Sequence, residues 1–152
     1  MKGHNIVSSE TIPGTHLDAW RGVLNAHTAV VGRVEAALAA ADLPPLTWYD
    51  VLWTVRRAPR RRLRLSDLAA GLTLSRGGLT KLVDRLEDDG LLRRERAEED
   101  GRGLYAVLTP AGARMLRAMW PVYAAALGET FVAAIDEAEA HVIAEALNRP
   151  LA

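Results

Sequence analysis

Along the first third of the chain, Leu17, Trp20, Leu24, His27, Val31, Val34 and Leu38 recur at steps of three and four, which predicts one face of a long helix from Thr15 to about Ala41. That face needs something to pack on. Asp42-Leu43-Pro44-Pro45 ends the helix, because proline lacks an N–H and disfavours helical backbone before it. Thr47 and Asp50 look like a capping pair for a second helix with the stripe Trp48, Val51, Leu52 and Val55, closing near Arg57-Ala58-Pro59. A basic connection, Arg60 to Arg64, leads to a short helix from Ser66 to about Ala70 that stops at Gly71. After Leu72-Thr73-Leu74, Ser75 is placed to cap a further helix running to Asp89 and ended by Gly90. Two helices joined by a short glycine-containing turn outline a helix-turn-helix.

Beyond Gly90 the period shortens to two. Leu92 to Ala97 and Gly103 to Leu108 predict strands, with Leu104, Ala106 and Leu108 on one face and the polar turn Glu98 to Arg102 between them. Thr109-Pro110 predicts a helix start, threonine as cap and proline at the first position, where its missing donor costs nothing. This helix extends to about Gly128, with a bend expected at Trp120-Pro121, and a last one opens at Asp136 with Glu139 as reciprocal cap. The predicted fold class is mainly α with a small two- to three-stranded β-wing, a winged helix-turn-helix flanked by N- and C-terminal helices. The expected division is an arm over 1–14, a helical segment over 15–45, the winged helix-turn-helix over 46–110, and C-terminal helices over 111–152.

Composition narrows the function classes. The chain has 152 residues, 49% hydrophobic and 25% charged, ordinary for a folded domain. No run approaches the roughly 18 to 20 apolar residues of a membrane span, and Met1 to Gly14 lacks the order of a signal peptide, so a cytoplasmic protein without membrane contact is expected. With no cysteine, disulfides, thiolate metal sites and a catalytic thiol are excluded within the chain. The net charge is zero, yet Val55 to Gly103 holds 13 basic against 9 acidic residues while the remainder holds 6 against 10. One region is suited to a polyanion and the other is not.

Within that basic region, the helix from Ser75 buries Leu79, Leu82, Val83 and Leu86, leaving Arg76, Gly77, Thr80, Lys81, Asp84 and Arg85 facing outward. A positive helix end, small residues permitting close approach, and hydroxyl or forked donors suit entry into a DNA major groove. The alternative is an ordinary charged solvent face. Arg102 at the hairpin tip is placed to reach a minor groove, with Asp100 orienting it; alternatively, Asp-Gly-Arg is simply a solvated turn.

The run from Arg62 to Gly112, with Leu-Ser-Asp-Leu-Ala, Ser-Arg-Gly-Gly-Leu-Thr-Lys-Leu-Val-Asp-Arg-Leu-Glu, Gly-Leu-Leu-Arg-Arg, Glu-Asp-Gly-Arg and Leu-Thr-Pro-Ala-Gly, resembles the multiple-antibiotic-resistance-regulator (MarR) family. The order of elements is similar over about nine-tenths of the chain. The resemblance implies a homodimer whose N- and C-terminal helices interlock, here Leu17 to Leu38 and Met115 to Leu147. Two winged lobes would read a pseudo-palindromic operator in double-stranded DNA, usually as a repressor released by a small phenolic or amphipathic anion. It implies DNA-binding roles for Ser75, Arg76, Gly77, Gly78, Thr80, Lys81, Arg85, Asp100 and Arg102. Gly77-Gly78 departs from the small polar residues commoner there, which bears on base preference.

By position, the family's effector crevice would draw on Trp20, His27, Tyr49, Trp53, Arg57 and Met115, although Trp20 and His27 equally suit packing and Tyr49 and Trp53 equally suit shielding of the core. No metal, cofactor or catalytic site is expected. His16 and His27 are separated by about 16 Å of helix, and no phosphate loop, serine elbow or acid-base pair is present in the pattern. Two rivals stay open: a winged protein-interaction module that never touches DNA, and an enzyme on a helical scaffold.

Overall fold

The computed structural model describes residues 12–72, 76–96 and 103–149. The first helix, α1 (Gly14–Ala40), carries the predicted stripe but buries only its last part. Val34 and Leu38 are fully buried while Leu17, Trp20 and Leu24 stand exposed, and His27 is exposed too. The helix closes with Asp42 in the left-handed region (φ 54°) and the Leu43 amide donating to Leu38 O at 3.0 Å. Aspartate tolerates that conformation better than most residues.

Helix α2 (Leu46–Arg57) follows. The Thr47–Asp50 cap expected from sequence is not formed. The helix starts two residues earlier than that cap implies, with Pro45 at the cap position and no side-chain cap of its own. The orphan Leu46 amide instead donates to Glu35 Oε1 on α1 at 3.1 Å, which satisfies the helix end from a neighbouring element.

The basic connection is more ordered than expected. Pro59–Arg61 form a tight turn, closed by the Arg61 amide donating to Ala58 O at 2.9 Å, and Arg62–Arg64 a strand, β1. After α3 (Leu65–Gly71) and α4 (Arg76–Asp88), β2 (Leu92–Arg96) and β3 (Leu104–Leu108) complete a sheet of order β1-β3-β2. Both pairings are antiparallel, with Arg64 opposite Tyr105 and Arg94 opposite Ala106. Period two then sorts the faces. Leu63, Leu92, Ala106 and Leu108 join the core, whereas Leu104, predicted for the same face, is 41% exposed at the start of its strand.

The predicted Thr109-Pro110 start holds: α5 (Pro110–Leu127) has Thr109 Oγ1 accepting from the Gly112 amide at 3.0 Å. Pro121 lies inside this helix without ending it. A π-helical stretch, Gly128–Val132, continues it and is tied back to α1 by Arg33 and Glu129 at 2.7 Å. Helix α6 (Glu137–Leu147) opens with the predicted capping box of Asp136 and Glu139. The core gathers Leu38, Leu52, Leu68, Val83, Leu86, Leu116 and Met119 where α1 to α5 converge. Helix α6 buries none of its residues in the subunit. No single described helix is long and apolar enough to cross a membrane.

Candidate nucleic-acid interface

Helix α4 exists because Leu79, Val83 and Leu86 fall on one stripe, and all three are buried; Leu82 is half-buried beside them. The opposite side is left to water. Gly77, Gly78, Thr80, Lys81, Asp84 and Arg85 are exposed. Around Gly77, a Cβ would meet nothing within 4 Å, so nothing inside the subunit calls for glycine there. Its backbone is open to approach from outside. Ser75, Asp100, Arg102 and the side chain of Arg76 lie outside the described residues.

Asp84 has a role the sequence pattern did not suggest. With Glu87, one helical turn on, it receives Arg94 from β2: Arg94 Nη2 meets Asp84 Oδ1 at 2.5 Å, and Arg94 Nη1 pairs with Glu87. The Arg94 amide also donates to Glu87 Oε1 at 2.9 Å. Sequence numbering puts Arg94 seven to ten residues from its partners, but the left-handed Gly90 (φ 70°) folds β2 back along α4. That backbone hydrogen bond, reinforced by the guanidinium, holds the Glu87 carboxyl below its ordinary pKa. The guanidinium's own pKa is raised by Asp84 and Glu87, against the opposing effect of burial. The network ties α4 and β2 together as one unit.

The hairpin is anchored at its other end as well. Thr109 Oγ1 donates to Gly90 O at 2.7 Å or to Leu91 O at 3.0 Å, and the Thr109 amide reaches Leu91 O at 3.2 Å. Gly112 packs so tightly beneath that a Cβ would lie 2.2 Å from Leu91 O. Only glycine allows this close approach.

A cleft of about 750 Å³ opens between α2 and α5, with Tyr49, Asp50, Trp53, Arg56, Arg117 and Trp120 in its wall. Tyr49 stacks between Trp53 and Trp120 at centroid distances of 6.0 and 6.3 Å, with Tyr123 edge-on at 5.2 Å. Burial first, and Glu35 second, push the Asp50 carboxyl above its ordinary pKa; burial likewise raises Tyr49 and Tyr123. Of the six residues considered for an effector, the structure brings together Tyr49 and Trp53 only. Trp20 and His27 stand on the exposed part of α1. Met115 packs against the core, and Arg57 is exposed outside the cleft wall, where its neighbour Arg56 stands instead. Steps of four and three from Tyr49 through Trp53 reach Arg56, the spacing that points to it. Among the described residues no group of three or more metal-ligating side chains comes together.

Residues 41–103 match the model of the MarR family. YkoM of Bacillus subtilis (strain 168), an uncharacterized HTH-type transcriptional regulator, is 33% identical over 82 residues, 54% of this chain and 50% of YkoM. The chain spans about half the length of the curated relatives it matches. Over 90% of this chain and 92% of the relative, the fold superimposes on AbsC, a MarR family transcriptional regulator from Streptomyces coelicolor, with a TM-score of 0.78 and 29% identity. Sco3205, a MarR family transcriptional regulator from the same organism solved in complex with DNA, gives a TM-score of 0.78 and 28% identity over 90% of this chain and 85% of that one. The matched segment takes in α2, α4 and β2, and the shared fold extends to the helices on either side, so the chain is similar to the MarR family in sequence over residues 41–103 and in fold over about nine-tenths of its length.

Proposed function

We propose that this chain is a homodimeric, sequence-specific DNA-binding transcriptional regulator acting in the cytoplasm, a repressor released from a pseudo-palindromic operator by a small effector. The observation that carries this reading is the outward face of α4, where Gly77, Thr80, Lys81 and Arg85 are exposed above a buried stripe while Arg94 locks the hairpin alongside. Lys81, Thr80 and Arg85, with Ser75, Arg76, Gly77 and Gly78, serve the major groove, phosphate contacts positioning the helix and base-edge contacts specifying sequence. Arg102 is assigned to the minor groove and Asp100 to orienting it. The complex of Sco3205 with DNA supports the same partner here. The protein works by binding rather than catalysis.

Dimerisation is assigned to 15–45 and 111–152, with 46–110 as the reading lobe and 1–14 as an arm. Trp20 is 59% exposed on α1 and Val142 64% exposed on α6, a mass of apolar surface that a second copy would remove from water. Sedimentation should give a dimer, and Leu24→Glu should shift it toward monomer; a wild-type monomer at micromolar concentration would sink the assignment. For the effector, the aromatic shelf of Trp53, Tyr49 and Trp120 beside Arg56 and Arg117 suits a planar amphipathic anion. Hydroxybenzoates should quench Trp53 and Trp120 fluorescence and release bound duplex. Quenching without release would leave the cleft a mere binding site.

A further inference from the structure

The arginines from Arg56 to Arg64 play no part in the reading head described above. Six of these nine residues are arginine and none is acidic. Among the described residues no ion pair involves Arg57, Arg60 or Arg61, and all three are exposed. Arg60 and Arg61 both occupy the left-handed region, with φ of 56° and 54°. Glycine or asparagine would relieve that strain, yet the chain places charge at both positions.

Sheet register carries the pattern onward. Arg62 pairs with Val107 and Arg64 with Tyr105, while Arg93 and Glu95 stand across from the same two β3 residues. These side chains therefore share the face opposite Leu63, Ala106 and the core. On it the Arg62 guanidinium lies 4.0 Å and the Arg64 guanidinium 5.2 Å from the Tyr105 ring centroid, so the aromatic ring spreads both along the edge strand. Glu95, the acidic residue on this face, is already held by Arg93 Nε at 2.9 Å.

The geometry points to a second DNA-contact surface, the arginine-lined edge and outer face of the winged sheet, which grips the phosphate backbone of duplex flanking each half-site. This rests on the DNA-binding reading of α4. Strand β1 runs from the turn at 59–61 toward the start of β3, since Arg64 pairs with Tyr105 next to the first residue of β3. Its outer face is turned away from α4, and thus along the duplex beyond the groove that α4 enters. Arginine forks suit phosphate, and contacts without base edges make the surface indifferent to sequence.

The test uses the full chain and the duplex it selects from a random pool. That duplex is made at two lengths, one ending at the half-sites and one extended by about one helical turn (~10 bp) on each side. Wild type should prefer the extended duplex by roughly tenfold at low salt, with a steeper salt slope, by about 0.9 for each added phosphate contact. The triple variant Arg60→Asn, Arg61→Asn, Arg64→Gln should bind both lengths alike, near the wild-type affinity for the short one. Lys81→Ala on α4 should weaken both lengths equally. Equal wild-type slopes on the two lengths, a measurement that needs no variant, would overturn the proposal, as would a triple variant that keeps the length preference. Wild type that binds the short duplex without any gain from extension removes this surface alone, whereas failure to bind or select any duplex removes the DNA-binding reading beneath it.

Discussion

Replacing Gly112 by alanine tests how the hairpin is joined to the long C-terminal helix. The added Cβ would sit 2.2 Å from Leu91 O and 2.7 Å from Leu108 Cδ1, where ordinary contact begins near 3.4 Å. The backbone at Leu91 must therefore retreat by about 1 Å, on the order of the shift that overpacked cores make at a cost of ~1–3 kcal/mol. That movement stretches the Thr109 contacts to Leu91 O, now 3.0 and 3.2 Å, losing about 1 kcal/mol for each. Alanine returns less than ~1 kcal/mol as the better helix former, because the site lies in the first turn. The net is a destabilisation of about 2–4 kcal/mol, or roughly 5–15 °C in Tm for a chain of this size. Thermal unfolding by circular dichroism at fixed protein concentration measures it. A Gly112→Ala protein that melts at or above the wild-type temperature would refute the close packing of Leu91 on α5.

Gly77→Ala should do the reverse, gaining a little, less than ~1 kcal/mol, because its site is open but lies in the first turn of α4, while duplex affinity falls through lost backbone approach; unchanged affinity would leave Gly77 without a role at the interface. Arg94→Gln should cost about 1–2 kcal/mol, discounted because Asp84 is half exposed, and hydrogen exchange should speed up across β2; retained protection would show that the hairpin is held by other means. Since the Glu87 pKa is lowered, its contribution is complete above the ordinary carboxylate value and lost as pH falls through the depressed one. Asp50→Asn should raise Tm at pH 7, because a raised carboxyl pKa means the native state tolerates the charge poorly. The gain should vanish as the wild-type carboxyl protonates in acid, and a gain that grew with acidity would contradict the assigned cause.

Features fixed within a few residues were legible from sequence. Thr109 to Gly112 and Asp136 to Glu139 are three apart, so their caps are local decisions of the chain. The Thr47–Asp50 cap failed because the Leu46 amide finds Glu35, eleven residues back on another helix. Strand β1 was hidden for a similar reason. Arg-Leu-Arg is a weak strand signal by itself, and its partner β3 lies some forty residues downstream. The stripe on α1 identified the right face, yet periodicity says nothing of whether core or a second copy covers it, and the structure buries Val34 and Leu38 but not Trp20 or Leu24. The outward face of α4 was readable as the complement of its buried stripe. Arg94 was not, since the turn at Gly90 decides which α4 carboxylates meet β2.

The central claim is that the outer face of α4 reads duplex DNA as half of a dimer. Its most direct test is selection and binding of duplex by the purified chain at two salt concentrations. The expected result is a palindromic consensus, one dimer bound per site at nanomolar concentration, and affinity that weakens steeply with salt. Absence of any duplex preference at low salt would contradict it and favour a winged module that binds another protein.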